Sequence, residues 1–443
     1  MQAFEAFDLK YTTREITAWG GLALLKRMMD GMGLRQAIES WALPAPHSNR
    51  GYAPMQLIEQ MIVSIWCGAA RFVHADITRL DRTLARLFGW NRAAGHKAIV
   101  RLFQRFTQLD ANRLQTSSYC WLFQKLALGS ITLDVDSTVL TRWGHQIEGS
   151  AKGYNPKHHG RHSHHPLLAF VADWRLVANL WLRPGSSHSA NNAQAFLEAT
   201  LVNLGNTRVG LFRADSGFYD KDIVCWLKDK QIAHIISAKL TTALQQAIVD
   251  NCRWQEVSNG IQVAELGYQP HNWEQAVRFV VVRQHIARTQ GAVGKTLSLF
   301  ADDPDLQGWR YGAMVTDLTL PALEVWRLYR GRADCENRIK ELKADFGLDS
   351  FVLRDFWATE AALSVAMLAY NLMSVFRHAV LRQKVHQTLA TLHHTVLAVG
   401  AYWDKPSENK KPALRLAIAK KRRSWFEGLW AHAGEPVKLR FTD

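Results

Sequence analysis

Apolar residues recur with the period of an α-helix through roughly the first 125 residues of the chain. Gly and Pro breaks separate two such stretches, GGLALLKRMMDGMGLRQAIESWAL and PMQLIEQMIVSIWCGAARFVHADITRL. Residues 83–108, TLARLFGWNRAAGHKAIVRLFQRFTQ, predict a helix, a short turn and then a basic helix. That pattern is compatible with a helix-turn-helix motif that reads DNA, and at least equally with an ordinary basic helical hairpin.

The pattern changes near residue 130, where apolar runs become short and end in polar residues. SITLDVDSTVL, HPLLAFVADW and RLVANLWLRPG predict three strands, the last two forming a hairpin. A helix (NNAQAFLEATLVNL), a strand (TRVGLFRADSGF), a helix (KDIVCWLKDKQ) and a strand (IAHIISAKL) follow. This order predicts a mixed α/β sheet.

Residues 242–318 have shorter apolar runs and more frequent turns, and they predict an all-β insertion with strands such as QAVRFVVVRQH, KTLSLFA and WRYGAMVTDL. A long helical region begins near Pro321. Its most apolar run, AALSVAMLAYNLMSVF (361–376), is 16 residues long and contains Asn371. That length is short for a membrane span and favours a buried helix.

Charge points to a polyanionic partner. The 443 residues include 54 Lys and Arg against 39 Asp and Glu, a net charge of +15, and nucleic acid is the commonest partner of such a chain.

The five Cys show no CxxC spacing, so a disulfide framework or zinc ribbon is disfavoured. The N-terminal residues lack the apolar core of a signal peptide. We therefore expect a cytoplasmic protein that does not insert into a membrane.

Three acids are candidate metal ligands. Asp136 and Asp215 each end an apolar strand pattern, and strand ends are where open α/β sheets build their sites. Glu336 lies on a later helix. Three converging carboxylates would make a hard-oxygen site suited to Mg²⁺ or Mn²⁺. Each Asp taken alone is more often a turn or cap residue. Asp134, on the same strand face as Asp136, is either a supporting residue or the true ligand.

The segment YRGRADCENRIKELK (329–343) predicts one continuous helix. At about 100° per residue, Tyr329, Arg332, Glu336 and Lys343 fall within roughly 60° of arc, beside an apolar stripe. This edge would suit a metal-binding Glu336 flanked by phosphate contacts from Arg332 and Lys343, with Tyr329 positioning a phosphate. The simpler alternative is a structural i, i+4 ion pair between Arg332 and Glu336.

Two further basic segments stand out. KHHGRHSHH (157–165), with His145 upstream, has five His, but its spacing fits no common zinc motif. A basic loop that contacts DNA phosphates through Lys157 and Arg161 is the favoured interpretation. In the tail, Lys410, Lys411 and residues 420–423 either bind the DNA backbone or are simply solvated.

These residues carry a resemblance to a known family. The spacing Y-x2-R-x3-E-x6-K is met in full by the four residues of the 329–343 segment, and it resembles the signature of bacterial insertion-sequence DDE transposases of the retroviral-integrase superfamily. DVDSTV resembles the family's first Asp motif, RADSGF its second, and KGYNPKHHGRHSHHPLLAF the segment that follows the first. The likeness covers about residues 130–350.

The resemblance implies a ribonuclease-H-like mixed sheet with an all-β insertion, flanked by helical N- and C-terminal regions. It implies that Asp136, Asp215 and Glu336 hold two Mg²⁺ ions, that transposon ends are hydrolysed, and that the freed 3′-hydroxyls attack target DNA. It also implies a homodimer on paired terminal inverted repeats, in the bacterial cytoplasm and on the nucleoid when DNA-bound. The alternatives are a structure-specific nuclease and a transposase-derived DNA-binding protein.

Relatives of this architecture use a Trp from the β insertion to hold a flipped base. Trp254, Trp273 and Trp309 lie in or near the insertion here, and Trp309 is our candidate because it falls shortly before the final helix.

The predicted segments are a helical DNA-binding domain (1–125), the first part of the catalytic core (126–241), the β-rich insertion (242–318), the second part of the core (319–380) and a basic C-terminal helical region (381–443).

Overall fold

The computed structural model describes residues 8–46, 51–144, 146–188, 192–258, 260–285, 308–404 and 412–439. His145, Lys410, Lys411 and the predicted strand KTLSLFA lie outside the described residues. The chain forms two compact units, one made of residues 1–121 and 341–443 and the other of residues 122–340. The helices are α1 (Leu22–Met32), α2 (Leu34–Ser40), α3 (Pro54–Trp66), α4 (Arg82–Leu87), α5 (His96–Phe103), α6 (Gln108–Leu126), α7 (Ala193–Leu204), α8 (Lys221–Asp229), α9 (Thr242–Asn251), α10 (Ala322–Arg330), α11 (Ala333–Asp345), α12 (Phe356–Phe376), α13 (Leu389–Leu392) and α14 (Arg423–Ala433).

The strands are β1 (Ile131–Ser137), β2 (Leu140–Thr141), β3 (Ala151–Lys152), β4 (His162–His164), β5 (Leu167–Val171), β6 (Leu176–Trp181), β7 (Val209–Ala214), β8 (Ala233–Ser237), β9 (Gln255–Ser258), β10 (Ile261–Tyr268), β11 (Val277–His285), β12 (Trp309–Thr316), β13 (Gly400–Trp403) and β14 (Leu414–Ala417).

The unit of residues 122–340 is built on a nine-stranded sheet, ordered β6-β5-β1-β7-β8-β12-β11-β10-β9. Strands β1, β7 and β8 run parallel, and β5 and β6 pair antiparallel on the other side of β1. All five residues of β5 are buried, as expected where helices cover both faces of a sheet. Three antiparallel strands followed by two parallel ones confirm the predicted ribonuclease-H-like mixed sheet.

The segment 242–318 differs from its prediction in two details. It begins with helix α9, whose first turn is capped by the Thr241 hydroxyl accepting from the backbone N–H of Leu244. Its strands do not form a sheet of their own, because β12 pairs with β8 and so extends the core sheet outward through β11 and β10. The apolar face of these strands packs with Val325 of α10, which makes one continuous core.

The other unit is mainly helical. Helix α12 is long and apolar enough to cross a membrane by length and composition, but its apolar window is wholly buried inside the protein. It packs on α3, and the Trp66 indole N–H donates to the carbonyl of Ala369 at 3.1 Å. The prediction of a buried helix over 361–376 is confirmed.

Two details of this unit differ from the sequence interpretation. Helices α4 and α5 are separated by residues 88–95, so the short turn of a helix-turn-helix motif is not formed. The C-terminal region contains the hairpin of β13 and β14 besides its helices. The role of residues 1–125 in DNA binding stays a prediction.

Candidate active site

Strand register brings the first two candidate acids to one edge of the sheet. The parallel strands β1 and β7 pair Asp134 with Arg213 and Val135 with Ala214. Asp136 is the next residue of β1 and Asp215 directly follows the last residue of β7, so the two lie side by side where β7 ends. The carboxyl ends of adjacent parallel strands are the usual place for a site in such a sheet.

Asp136 is buried, with 8 % of its surface exposed. Its Oδ1 accepts from the backbone N–H of Ser137 at 2.8 Å, and its Oδ2 lies 3.2 Å from Nη2 of Arg332. Burial raises the pKa of Asp136 to about 6. Arg332 lowers this pKa in part, while the carboxylates of Asp215 and Glu336 raise it further, so both act on Asp136 through space.

Asp215 is less buried than Asp136, with 40 % of its side chain exposed. Its Oδ1 accepts from the backbone N–H of Gly217 at 2.9 Å, which caps the short 3₁₀ turn over Ser216–Phe218. Its Oδ2 lies 4.0 Å from the same Arg332 Nη2 atom. One guanidinium therefore joins the two strand-end carboxylates, while Asp215 keeps its access to solvent.

Arg332 is 8 % exposed, and within the described part of the chain its Nε and Nη2 have no hydrogen-bond partner. Burial lowers the pKa of Arg332, but the charges of Asp136, Tyr329 and Asp215 outweigh it and raise that pKa overall. Burial likewise raises the pKa of Tyr329, whose hydroxyl is hydrogen-bonded to Ser237 at the end of β8. Tyr329 and Arg332 thus face the same strand ends as the two Asp residues.

The prediction of one continuous helix over 329–343 is wrong. Helix α10 ends at Arg330, and α11 begins at Ala333. Between them the backbone N–H of Arg332 donates to the carbonyl of Tyr329 at 2.9 Å, a tight i to i−3 turn. Arg332 is therefore set by a break between two helices and not by a helical wheel.

Gly331 explains the break. A Cβ placed there would lie 2.7 Å from Nη1 of Arg213, which donates to the carbonyl of Leu328. The last turn of α10 is thereby held against the buried Arg213 side chain. Its φ of −57° is ordinary, so lack of space and not backbone strain demands glycine.

Gly331→Ala is expected to lower the free energy of unfolding by about 1–3 kcal/mol, the usual cost of overpacking a filled site. Gly312→Ala is the matched control, because a Cβ there meets nothing within 4 Å. Urea unfolding of both variants measures the difference. Equal stabilities for the two would show that Arg213 does not set the break.

Glu336 lies in the first turn of α11 and is exposed. Among the described residues, no three His, Cys, Asp or Glu side chains are placed to hold a metal ion together. The structure therefore gathers Asp136 and Asp215 around Arg332 and leaves Glu336 on the adjoining helix, close enough to affect the pKa of Asp136. Lys343 lies two turns further along α11.

The sequence interpretation missed a buried charge network beneath the site. Asp134 is fully buried, and its carboxylate accepts from Arg213 Nε at 2.7 Å and Nη2 at 3.0 Å. Arg338 adds a third donor at 3.4 Å and also bonds Asp334 of its own helix. Asp134 is thus held by two buried Arg side chains, which favours the interpretation that it supports the site and does not bind metal. The sequence does contain a signal for this network: Arg213 lies two residues before Asp215, just as Asp134 lies two residues before Asp136.

The remaining candidates lie on other segments of the chain. The guanidinium of Arg283 lies over the rings of both Trp254 and Trp309, 4.2 and 4.5 Å from their centres. Trp309 is therefore engaged by Arg283, and its role in holding a base stays a prediction. Lys157 and Arg161 are exposed in the His-rich segment.

A mixed sheet of this topology, with aspartates at two adjacent strand ends, places the protein in the ribonuclease-H-like fold class. The family model for the transposase DDE domain, group 1, matches residues 5–422. The chain belongs to this family, the DDE transposases, and is a DNA transposase that cleaves DNA and transfers the strand. Enzymes of the family use divalent metal ions.

The chain is also similar to a solved structure, a piggyBac transposase synaptic complex with hairpin DNA determined by cryo-electron microscopy. The identity is 10 %, the alignment covers 87 % of this chain and 83 % of that chain, and the TM-score is 0.45. No curated protein matches the chain.

Proposed function

We propose that Asp136, Asp215 and Glu336 are the catalytic and metal-binding carboxylates of this transposase. The observation that carries the proposal is the single Arg332 Nη2 atom within 4.0 Å of both strand-end aspartates. A cation is thus already held between two carboxylates that follow paired parallel strands. Glu336 joins them as the third acid, from the helix that begins directly after Arg332.

The donor set suits Mg²⁺, with Mn²⁺ as the alternative, because all three ligands are hard carboxylate oxygens. When bound, such ions lower the pKa of an attacking water and offset negative charge on the reacting phosphate. The pKa of Asp136 is raised mainly by burial and further by the carboxylates of Asp215 and Glu336, while Arg332 lowers it only in part. A bound cation would therefore offset the cost of its buried negative charge.

The other three residues of the Y-R-E-K pattern are proposed to position DNA. Among the described residues, Nε of the buried Arg332 side chain has no hydrogen-bond partner, so it could donate to a phosphate oxygen beside Asp136. Tyr329 is fixed by Ser237 and would orient the same phosphate. Lys343, two turns along α11, would contact a phosphate further along the strand.

Double-stranded DNA is the proposed substrate, as terminal inverted repeats and as target DNA. The net charge of +15 supports a polyanionic partner. We further propose a bacterial insertion-sequence origin, cytoplasmic location and action as a homodimer on paired ends, which the Y-R-E-K spacing supports by resemblance. Lys157, Arg161 and Trp309 remain the proposed additional DNA contacts.

Glu336→Gln is expected to reduce cleavage of DNA carrying the element's terminal repeats by about 100-fold or more, the size expected when one electrostatic stabiliser is removed. Nicking and joining with Mg²⁺ are followed on denaturing gels. Glu324→Gln is the matched control, a partly exposed acid paired with Arg327 on α10. Full cleavage by Glu336→Gln would refute the triad assignment, and an inactive wild-type protein would refute the proposed DNA substrate.

A further inference from the structure

A small three-stranded sheet, ordered β2-β4-β3, lies directly after the strand that carries Asp136. It is tightly built: the backbone N–H of Arg142 donates to the carbonyl of His162 at 2.8 Å, and Asn155 donates to the Thr141 hydroxyl at 3.0 Å. Gly153 and Gly185 lie back to back, since a Cβ on Gly153 would fall 1.9 Å from the carbonyl oxygen of Gly185. The sheet is thus a fixed platform.

This platform holds a cavity of ≈ 370 Å³. Its lining includes Arg142, Trp143, Lys152, His159, Arg161 and His162, and of the lining residues that the structure describes none is acidic. The cationic side chains of Arg142, Lys152 and Arg161 around one opening make a site for an anion.

Arg142 is the buried floor of this site, with 3 % of its surface exposed. Its Nε donates to Nδ1 of His164 at 2.9 Å. Burial, and then Arg142 itself, lower the pKa of His164 to about 4, so this partner is a neutral imidazole at physiological pH. The contact holds the guanidinium in place at the floor of the cavity.

Trp143 stands at the rim, with 63 % of its surface exposed. The guanidinium of Arg161 lies 5.2 Å from its ring centre, and His158 packs edge-on at 5.2 Å. Exposed aromatic rings beside cations are what single nucleotides stack on in nucleic-acid-binding proteins. Cationic side chains that can bind a phosphate thus lie beside an aromatic ring that can stack on a base.

We propose that this cavity binds a phosphate of DNA and that Trp143 stacks on a nucleotide next to it. The assignment rests on the proposed function, since it gives the same DNA a second contact. Arg142 lies six positions after Asp136, so their Cα atoms are at most ~22 Å apart. The phosphate bound here would thus lie within about one turn of the duplex from the reacting one.

The test is DNA binding in EDTA, which separates binding from cleavage. Fluorescence anisotropy with a labelled 30-base-pair duplex of unrelated sequence, and one carrying the terminal repeat, gives Kd across a salt series. Trp143→Ala is expected to weaken binding about 5- to 150-fold with an unchanged salt slope. Trp143→Phe, which retains a stacking ring, should recover most of the loss.

The charged residues have a different signature. Arg161→Ala and Lys152→Ala are each expected to reduce the slope of log K against log salt by about one, as for a lost phosphate contact. Arg327→Ala is the charge control, since this exposed Arg lies on α10 and is paired with Glu324. It should leave the slope nearly unchanged.

The two duplexes identify the source of the phosphate. Losses confined to the terminal-repeat duplex would assign the cavity to transposon ends, and equal losses on both would assign it to DNA of any sequence, target DNA included. Wild-type affinity and slope in both Trp143→Ala and Arg161→Ala would overturn the cavity proposal alone. A wild-type protein that binds neither duplex would overturn this proposal and the proposed DNA substrate together.

Discussion

Asp136→Asn is expected to abolish cleavage and strand transfer while leaving the protein as stable as the wild type, or more stable. Loss of activity should reach about 1,000-fold or more, because a buried carboxylate at the reacting centre has no substitute among neighbouring groups. Asparagine keeps the shape of the side chain and one oxygen acceptor beside Ser137 and Arg332. The loss would therefore reflect charge and not folding.

The stability effect follows from the pKa of Asp136. This pKa is about 6 in the folded protein against 3.8 as the ordinary value. The folded state therefore holds a proton that the unfolded state releases between these values, and the wild type loses stability as the pH rises from about 4 through 6. Asparagine does not titrate, so the free energy of unfolding of Asp136→Asn should rise relative to that of the wild type over this pH range. The upper limit of this gain is about 3 kcal/mol.

Urea unfolding at pH 4 and pH 8 in EDTA measures this gain. Asp173→Asn is the matched control for activity, since Asp173 lies at the other end of β1, where its carboxylate accepts from the backbone N–H of Thr132 at 3.1 Å. It should cleave like the wild type. Cleavage by Asp136→Asn, or a variant less stable than wild type at pH 8, would contradict this account of the site.

Strand ends could be predicted from the sequence because an apolar run indicates a strand, and an acid at the end of the run indicates where the strand leaves the core. This is why Asp136 and Asp215 were found without knowledge of their pairing. Glu336 was placed on a helix correctly, but its wheel position relative to Tyr329 was wrong. Gly331 is a local signal for the break, but the contact that fixes the turn comes from Arg213, which reaches the carbonyl of Leu328 from 115 positions earlier.

The platform of β2, β3 and β4 was invisible for a different reason. Each of its strands has only two or three residues. A strand that short cannot show the alternation of apolar and polar positions by which strands are predicted. Its pairing joins residues 140–141, 151–152 and 162–164, which only the folded chain brings together. The His-rich run therefore gave the appearance of a loop, although His164 is fully buried in the platform.

Asp134→Asn is expected to lower the free energy of unfolding by about 3–5 kcal/mol, the cost of breaking a buried ion pair from one side. Asp134 is fully buried and is bonded by Arg213 and Arg338 together. Removing its charge would leave both guanidiniums buried beneath the site with no neutralising group at their shared centre. The positions of the Arg332 turn and of α11 depend on these two side chains, so cleavage should fall as well.

Two further variants distinguish the loss of the Asp134 network from a general effect of removing an acidic side chain. Asp334→Asn removes a partly exposed partner of Arg338 and Arg175, and it should cost about 1 kcal/mol or less. The pair Asp134→Asn and Arg213→Gln should show a coupling of about 0.5–3 kcal/mol in a double-mutant cycle, because the two side chains share two hydrogen bonds. Urea unfolding at pH 7 measures all of them. If the free energy of unfolding of Asp134→Asn lies within about 1 kcal/mol of the wild-type value, the network does not hold β1, β7 and α11 together.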